Sequence, residues 1–180
     1  MNRLLIFLLM VALMVGCGDG KKPKDVADNQ EVAVESQNEE KVAFPTYDFE
    51  GLEPLLHKED DQTYIINFWA TWCKPCLEEL PHFERIREEQ KNNNVKVILV
   101  SLDMPHMWKS RLEPYVKNKR IQSEVVILDD PKQNEWIPKV DEEWGGGIPA
   151  TLIYNKEKRQ FFEKGFTYEE LNEALSKFIK

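Results

Sequence analysis

The run Tyr64-Ile65-Ile66-Asn67-Phe68-Trp69 is apolar at every position but Asn67 and rich in β-branched and aromatic residues. Such a run predicts a buried central strand. Val95 to Leu102 predicts a second one. Between them apolar residues recur at helical spacing, at Leu77, Leu80, Phe83 and Ile86, with charges in the gaps. This predicts an amphipathic helix from Leu77 to Gln90, stopped by Asn92-Asn93-Asn94. Upstream, Phe44 to Phe49 reads as a short edge strand, a place that suits Pro45, Leu52 to Lys58 as a short helix, and Glu59 to Gln62 as a turn. Downstream come a helix from Met107 to Lys119 interrupted by Pro114, a strand Val125 to Leu128, and a helix Gln133 to Glu143 disturbed by Pro138. Leu152-Ile153-Tyr154 and Phe161-Phe162 form a hairpin around Asn155 to Arg159, and the capping box Thr167 to Glu170 opens a last helix through Ile179. Strands alternating with helices define an α/β class with a central sheet flanked by helices.

The N-terminal pattern is different. Leu4 to Val15 is apolar throughout, behind a single basic residue, Arg3. The run is too short for a spanning helix of roughly 20 residues and has the shape of a signal-peptide core. Gly18 to Ala43 is polar and poor in aromatics, so it cannot bury enough apolar surface to fold alone and reads as a tether. The expected division is a leader over residues 1–16, a tether over 17–43 and one folded domain over 44–180.

Charge narrows the partners. The chain carries a formal net charge of −8, and removing residues 1–16 takes away Arg3 and no acid, leaving −9. An acidic domain disfavours nucleic acid and anionic lipid surfaces as partners.

The chemistry is concentrated in Trp72-Cys73-Lys74-Pro75-Cys76, which holds two of the three cysteines between the central strand and the helix. The first sulfur falls at the helix N-terminus, where unpaired N–H groups and the dipole favour a thiolate. The second lies one turn on, close enough to close a small disulfide ring. Half of a zinc site is one alternative, but it needs further ligands; no cysteine remains for it, and His57, His82 and His106 show no suitable spacing. A purely structural disulfide is another, although so short a ring constrains the unfolded chain very little. No metal and no cofactor beyond a Cys73–Cys76 disulfide is expected.

Phe68 to Cys76, followed by Glu79, Leu80 and Pro81, resembles the active-site segment of the thioredoxin superfamily, and within it the membrane-tethered reductases of the TlpA/ResA type. Gly147-Ile148-Pro149-Ala150-Thr151, before an apolar strand, resembles the segment carrying that superfamily's cis-proline. The resemblance covers about residue 44 to the C-terminus. It implies a thioredoxin-like fold, and the long stretch from Asp103 to Ile148 fits the helix-strand insertion of the TlpA/ResA group. Met14-Val15-Gly16-Cys17 similarly resembles a bacterial lipoprotein cleavage box, with Cys17 the lipidated residue and Met14 a departure from the usual branched aliphatic. The expected location is extracytoplasmic, held to a bacterial membrane by that lipid.

The implied roles follow residue by residue. Cys73 is the nucleophile and Cys76 the more buried resolving thiol. Lys74 lies beside the thiolate, and Pro75 takes a first-turn position where no N–H is needed. Lys-Pro between the cysteines resembles reducing members of the superfamily. Trp72 forms an apolar lip, Trp69 belongs to the core, and Pro81 should kink the helix. Pro149 is expected cis, with Ile148 presenting its backbone to an extended substrate. Glu79 is either a proton-handling acid beside the sulfurs or an ordinary exposed glutamate like Glu78. Asn67 stands where cytoplasmic thioredoxins carry a buried acid, which favours the first reading. The implied activity is protein disulfide reduction, with cytochrome c maturation among the settings the resemblance implies. Exported protein thiols or disulfides would be its substrates, and a membrane thiol-electron donor would recharge it. A non-catalytic thioredoxin-scaffold module or metal chaperone is one rival. A thiol peroxidase is another, but Thr71 stands only two before Cys73 and no proline is suitably placed for a Pro-x-x-x-Thr-x-x-Cys motif.

Overall fold

A computed structural model describes residues 41–179. The expected leader and Cys17 lie outside the described residues, as does nearly all of the expected tether. The described chain runs through β1 (Thr46–Tyr47), α1 (Phe49–Leu52), a 3₁₀ turn (Glu53–Leu56), β2 (Thr63–Trp69), α2 (Lys74–Glu89) and β3 (Val95–Ser101). It continues through α3 (Pro105–Met107), a π-helical stretch (Trp108–Leu112), α4 (Glu113–Lys119), β4 (Glu124–Leu128), α5 (Gln133–Val140), β5 (Ala150–Tyr154), β6 (Arg159–Phe162) and α6 (Tyr168–Ser176).

The six strands form one mixed sheet in the order β1-β4-β3-β2-β5-β6. β1, β4, β3 and β2 are mutually parallel; β5 and β6 are antiparallel to their neighbours. β2 is central and buried at every position. Its side chains alternate between faces. Ile65 and Trp69 enter the core formed with Leu80, Phe83 and Ile86 of α2 and Leu171 and Leu175 of α6. Tyr64, Ile66 and Phe68 enter a second core with Phe49, Leu52, Trp136 and Trp144. A strand covered on both faces needs apolar residues throughout, which is why it reads as a continuous run. Asn67 is the polar side chain at the middle of the α2 face, and it marks the site.

Several boundaries move from their expected places. The first helix starts at Phe49 because Asp48 caps it, its carboxylate accepting from the Gly51 N–H at 2.9 Å, and it tightens to 3₁₀ geometry at Glu53. Pro114 has no N–H for the Ser110 carbonyl, and the chain widens just before it into the π stretch, where the Glu113 N–H reaches the Trp108 carbonyl. α5 stops at Val140, two residues after Pro138, as Asp141 turns extended. α6 ends at Ser176, short of Ile179, while its capping box forms as expected. The domain also begins before Phe44. The Ala43 N–H donates to Glu113 Oε1 at 2.8 Å, Lys109 Nζ donates to the Lys41 carbonyl, and Val42 packs on the core.

Candidate active site

The site lies at the carboxyl ends of β2 and β3. α2 begins three residues earlier than the apolar spacing suggested, because Cys73 itself is the N-cap and Lys74 and Pro75 form the first turn. The Cys76 N–H points at Cys73 Sγ from 3.3 Å, with sulfur where a capping oxygen usually sits. An N–H and a helix dipole aimed at this sulfur stabilise its thiolate once the pair is reduced. Cys73 and Cys76 are joined by a disulfide. Cys73 is 6% exposed and Cys76 fully buried, so the expected order of access holds, although Cys73 is far less open than a residue at a helix start suggests. Trp72 is 49% exposed beside it, and Trp69 is core. Lys74 leans toward Glu78 at 3.7 Å with both side chains in solvent, a pairing of little consequence. Pro81 lies inside α2, which continues to Glu89.

Facing the cysteines is the loop before β5. The Ile148–Pro149 bond is cis, as the resemblance implied. The Ile148 carbonyl oxygen lies 3.7 Å from Cys73 Sγ. Pro149 is buried and Ile148 before it is partly buried.

Glu79 is not a surface acid. It is 2% exposed, whereas Glu78 is in solvent. Its Oε1 accepts from Asn67 Nδ2 at 2.8 Å and its Oε2 from the Phe166 N–H at 2.8 Å. Burial pushes its carboxyl up to about 7, against the opposing pull of the Phe166 and Asn67 hydrogen bonds. Asn67 Nδ2 also reaches Thr151 Oγ1 at 3.1 Å, tying β2 to β5 behind the proline. A Cβ placed on Gly165 would sit 3.6 Å from Pro149 Cγ and 3.7 Å from Glu79 Oε2, so acid and proline approach one spot from two sides. A cleft of about 270 Å³ lined by Pro75, Glu79, His82, Gly165 and Phe166 connects this acid with the surface.

Asp103 was missed from the sequence. It is buried at the end of β3, with its two oxygens accepting from the Thr71 N–H at 3.0 and 3.2 Å, from Thr71 Oγ1 at 2.6 Å and from Ser101 Oγ at 2.9 Å. It fixes the loop that carries Trp72 and Cys73. The visible signal was a pair of polar residues, Ser101 and Asp103, closing an apolar strand. Among the described residues no group of three or more His, Cys, Asp or Glu is arranged to hold a metal ion.

A mixed sheet, a capping cysteine paired three residues on and a facing cis-proline define a thioredoxin-fold protein. Solved structures agree on that fold. The thiol:disulfide interchange protein of Chlorobium tepidum superposes with a TM-score of 0.54 at 18% identity, covering 64% of this chain and 79% of that one. StoA from Bacillus subtilis gives 0.50 at 22% identity, covering 64% and 83%. Within that class the chain belongs to the AhpC/TSA family, which it matches over residues 33–159. Among curated relatives, the "Thiol-disulfide oxidoreductase ResA" of Halalkalibacterium halodurans is 34% identical over 118 residues, 66% of this chain and 62% of that protein. The protein of the same name from Bacillus cereus is 28% identical over 103 residues, 57% of this chain and 58% of its own. The matches thus span less than two thirds of either relative.

Proposed function

We propose that this chain is a thiol-disulfide oxidoreductase that works as a reductase of protein disulfides. The observation that carries the reading is the Cys73–Cys76 disulfide at the cap of α2, with the Ile148 backbone 3.7 Å from Cys73 Sγ. The curated relatives bear the matching name. In the dithiol form the Cys73 thiolate attacks one sulfur of a substrate disulfide. That S–S bond breaks, a mixed disulfide forms, and the first substrate thiolate leaves and takes a proton. Cys76 then gives up its proton and attacks Cys73 Sγ, releasing the second substrate thiol and restoring the intramolecular disulfide. Two electrons pass to the substrate, and an external dithiol must return them.

The second step needs a base. Glu79 lies one turn beyond Cys76 on the same buried helix face, and an acid near 7 is close to half ionised at neutral pH. In this reading it takes the Cys76 proton and passes it out through the cleft beside His82. Asp103 and Thr71 hold the nucleophile's loop while this happens. The peroxidase alternative finds no support in the residues before Cys73, for the reason of spacing already given.

The test is insulin reduction by the full-length protein in detergent, with dithiothreitol as electron source. Precipitation of insulin chains at a rate proportional to the amount of protein is the expected result. A rate equal to that of dithiothreitol alone overturns the proposal.

The location belongs to the same proposal. The apolar run Leu4–Val15 and the box ending at Cys17 support an exported chain held to a bacterial membrane by lipid, with exported proteins as substrates, cytochrome c precursors among the candidates, and a membrane thiol donor. Cys17→Ala should release the protein from membranes or leave it as uncleaved precursor in a fractionation. An unmodified Cys17 in mass spectra of the mature wild-type protein would refute the lipid anchor.

A further inference from the structure

Ile148 is preceded by three glycines, and the structure gives them a common partner. Glu163, the residue after β6, accepts from the Gly145 N–H through Oε2 at 2.9 Å and from the Gly147 N–H through Oε1 at 2.7 Å. The two amides converge on the carboxylate because Gly146 between them has φ +89°, a conformation open to glycine, and a Cβ there would also lie 3.1 Å from Ile137 Cδ1. Two N–H groups from alternate residues thus hold one carboxylate between them. At Gly147 a Cβ would lie 2.6 Å from Glu163 Oε1. Gly147 has no positive φ, so its backbone would tolerate a side chain; the Glu163 carboxylate excludes one. The Trp144 indole N–H holds the Gly147 carbonyl at 2.9 Å from the other side. Among the described residues no cation pairs with Glu163.

We propose that Glu163 is a positioning residue for substrate. By holding Gly145 and Gly147 it fixes the direction of the next peptide unit, Ile148, whose carbonyl faces Cys73 Sγ. The proposal rests on the reading of the site as a thiol-disulfide exchange centre with an extended polypeptide laid along Ile148. Glu163 stands on the same short segment as Gly165, which abuts Pro149, and Phe166, whose N–H binds Glu79. One stretch of four residues therefore braces both the substrate backbone and the buried acid. Two charge-assisted bonds to backbone, both exposed to solvent, are a directional brace for a glycine run that would otherwise sample many conformations.

The test uses the reduced full-length protein and two substrates. One is a linear peptide with a disulfide, long enough to lie along Ile148. The other is dithiobis(nitrobenzoate), which offers no peptide backbone. Glu163→Ala should raise KM for the peptide about tenfold while kcat, and the rate with dithiobis(nitrobenzoate), stay within about twofold. Glu163→Gln keeps one accepting oxygen and should recover part of the loss. Gly147→Ala should match Glu163→Ala, and the double variant should be no worse than either, because the Cβ then meets no carboxylate. An unchanged peptide KM in Glu163→Ala, an equal loss on both substrates, or additive losses in the double variant would each overturn the proposal. Hydrogen exchange at the Gly145 and Gly147 amides needs no turnover. It should speed up about tenfold in Glu163→Ala, and unchanged exchange also overturns the proposal. If the wild-type protein reduces neither substrate, the exchange centre itself is refuted, and the amide exchange still decides the brace.

Discussion

Cys73→Ser is expected to abolish disulfide reduction, by at least about a thousandfold, with the fold intact. Cys76→Ser should lose steady-state turnover to a similar degree for a different reason. With serine at position 73 no sulfur can open the substrate disulfide. With serine at position 76 the first attack proceeds and the mixed disulfide then has no resolving thiol. The two variants therefore separate in a single-turnover experiment: Cys76→Ser releases one equivalent of substrate thiol in a burst and stops, and Cys73→Ser releases none. Equal behaviour of the two in that experiment would contradict the assignment of roles. Stability should change little, because a disulfide closing so short a ring constrains the unfolded chain weakly.

Glu79→Gln carries the second large effect. A carboxyl raised from an ordinary value of 4.5 to about 7 prefers its neutral form in the folded protein. Its contribution to stability is complete below about pH 4.5 and is lost as pH rises through about 7, since the buried charge is then paid for by the fold. Between pH 4.5 and pH 8 the wild-type protein should lose about 2–3 kcal/mol that Glu79→Gln does not lose, measured by urea unfolding across that range. The glutamine should also lower the pKa values of the cysteine pair, because the charge opposing thiolate formation is gone; those values belong to the coupled pair. Turnover should fall about a hundredfold if the acid takes the Cys76 proton. A thiolate titration at an absorbance of about 240 nm that overlays wild type, joined to turnover within about twofold, would make Glu79 a structural acid only.

What the sequence disclosed depended on how local each feature is. β2 was legible because a strand covered on both faces must be apolar along its whole length. The cysteine pair and Pro149 were legible because each is a short contiguous motif. The start of α2 was legible only from the cysteine motif, since Lys74 and Pro75 face solvent and apolar spacing begins only at Leu77. Glu79 could be placed on the helix face of Cys76 and Phe83, yet spacing alone left open whether the charge was buried. The Asn67 and Phe166 hydrogen bonds that allow its burial join parts of the chain 12 and 87 residues away. Asp103 serves a loop 32 residues upstream, and Glu163 serves glycines across a hairpin. Such contacts depend on sheet order and register, and no local pattern announces them. The break before Pro114 was foreseen; its form, a π stretch, follows from how the widened turn accommodates the missing N–H.

The central claim is that Cys73 is the sulfur that opens the substrate disulfide. Trapping tests it most directly. The Cys76→Ser protein, reduced and mixed with a peptide bearing one disulfide, is digested without reductant and the adduct mapped by mass spectrometry. The structure, with Cys73 capping α2 opposite the Ile148 carbonyl, predicts peptide bound to Cys73 in nearly one equivalent. Absence of an adduct on Cys73, or efficient trapping on Cys76 in the Cys73→Ser protein, would contradict it.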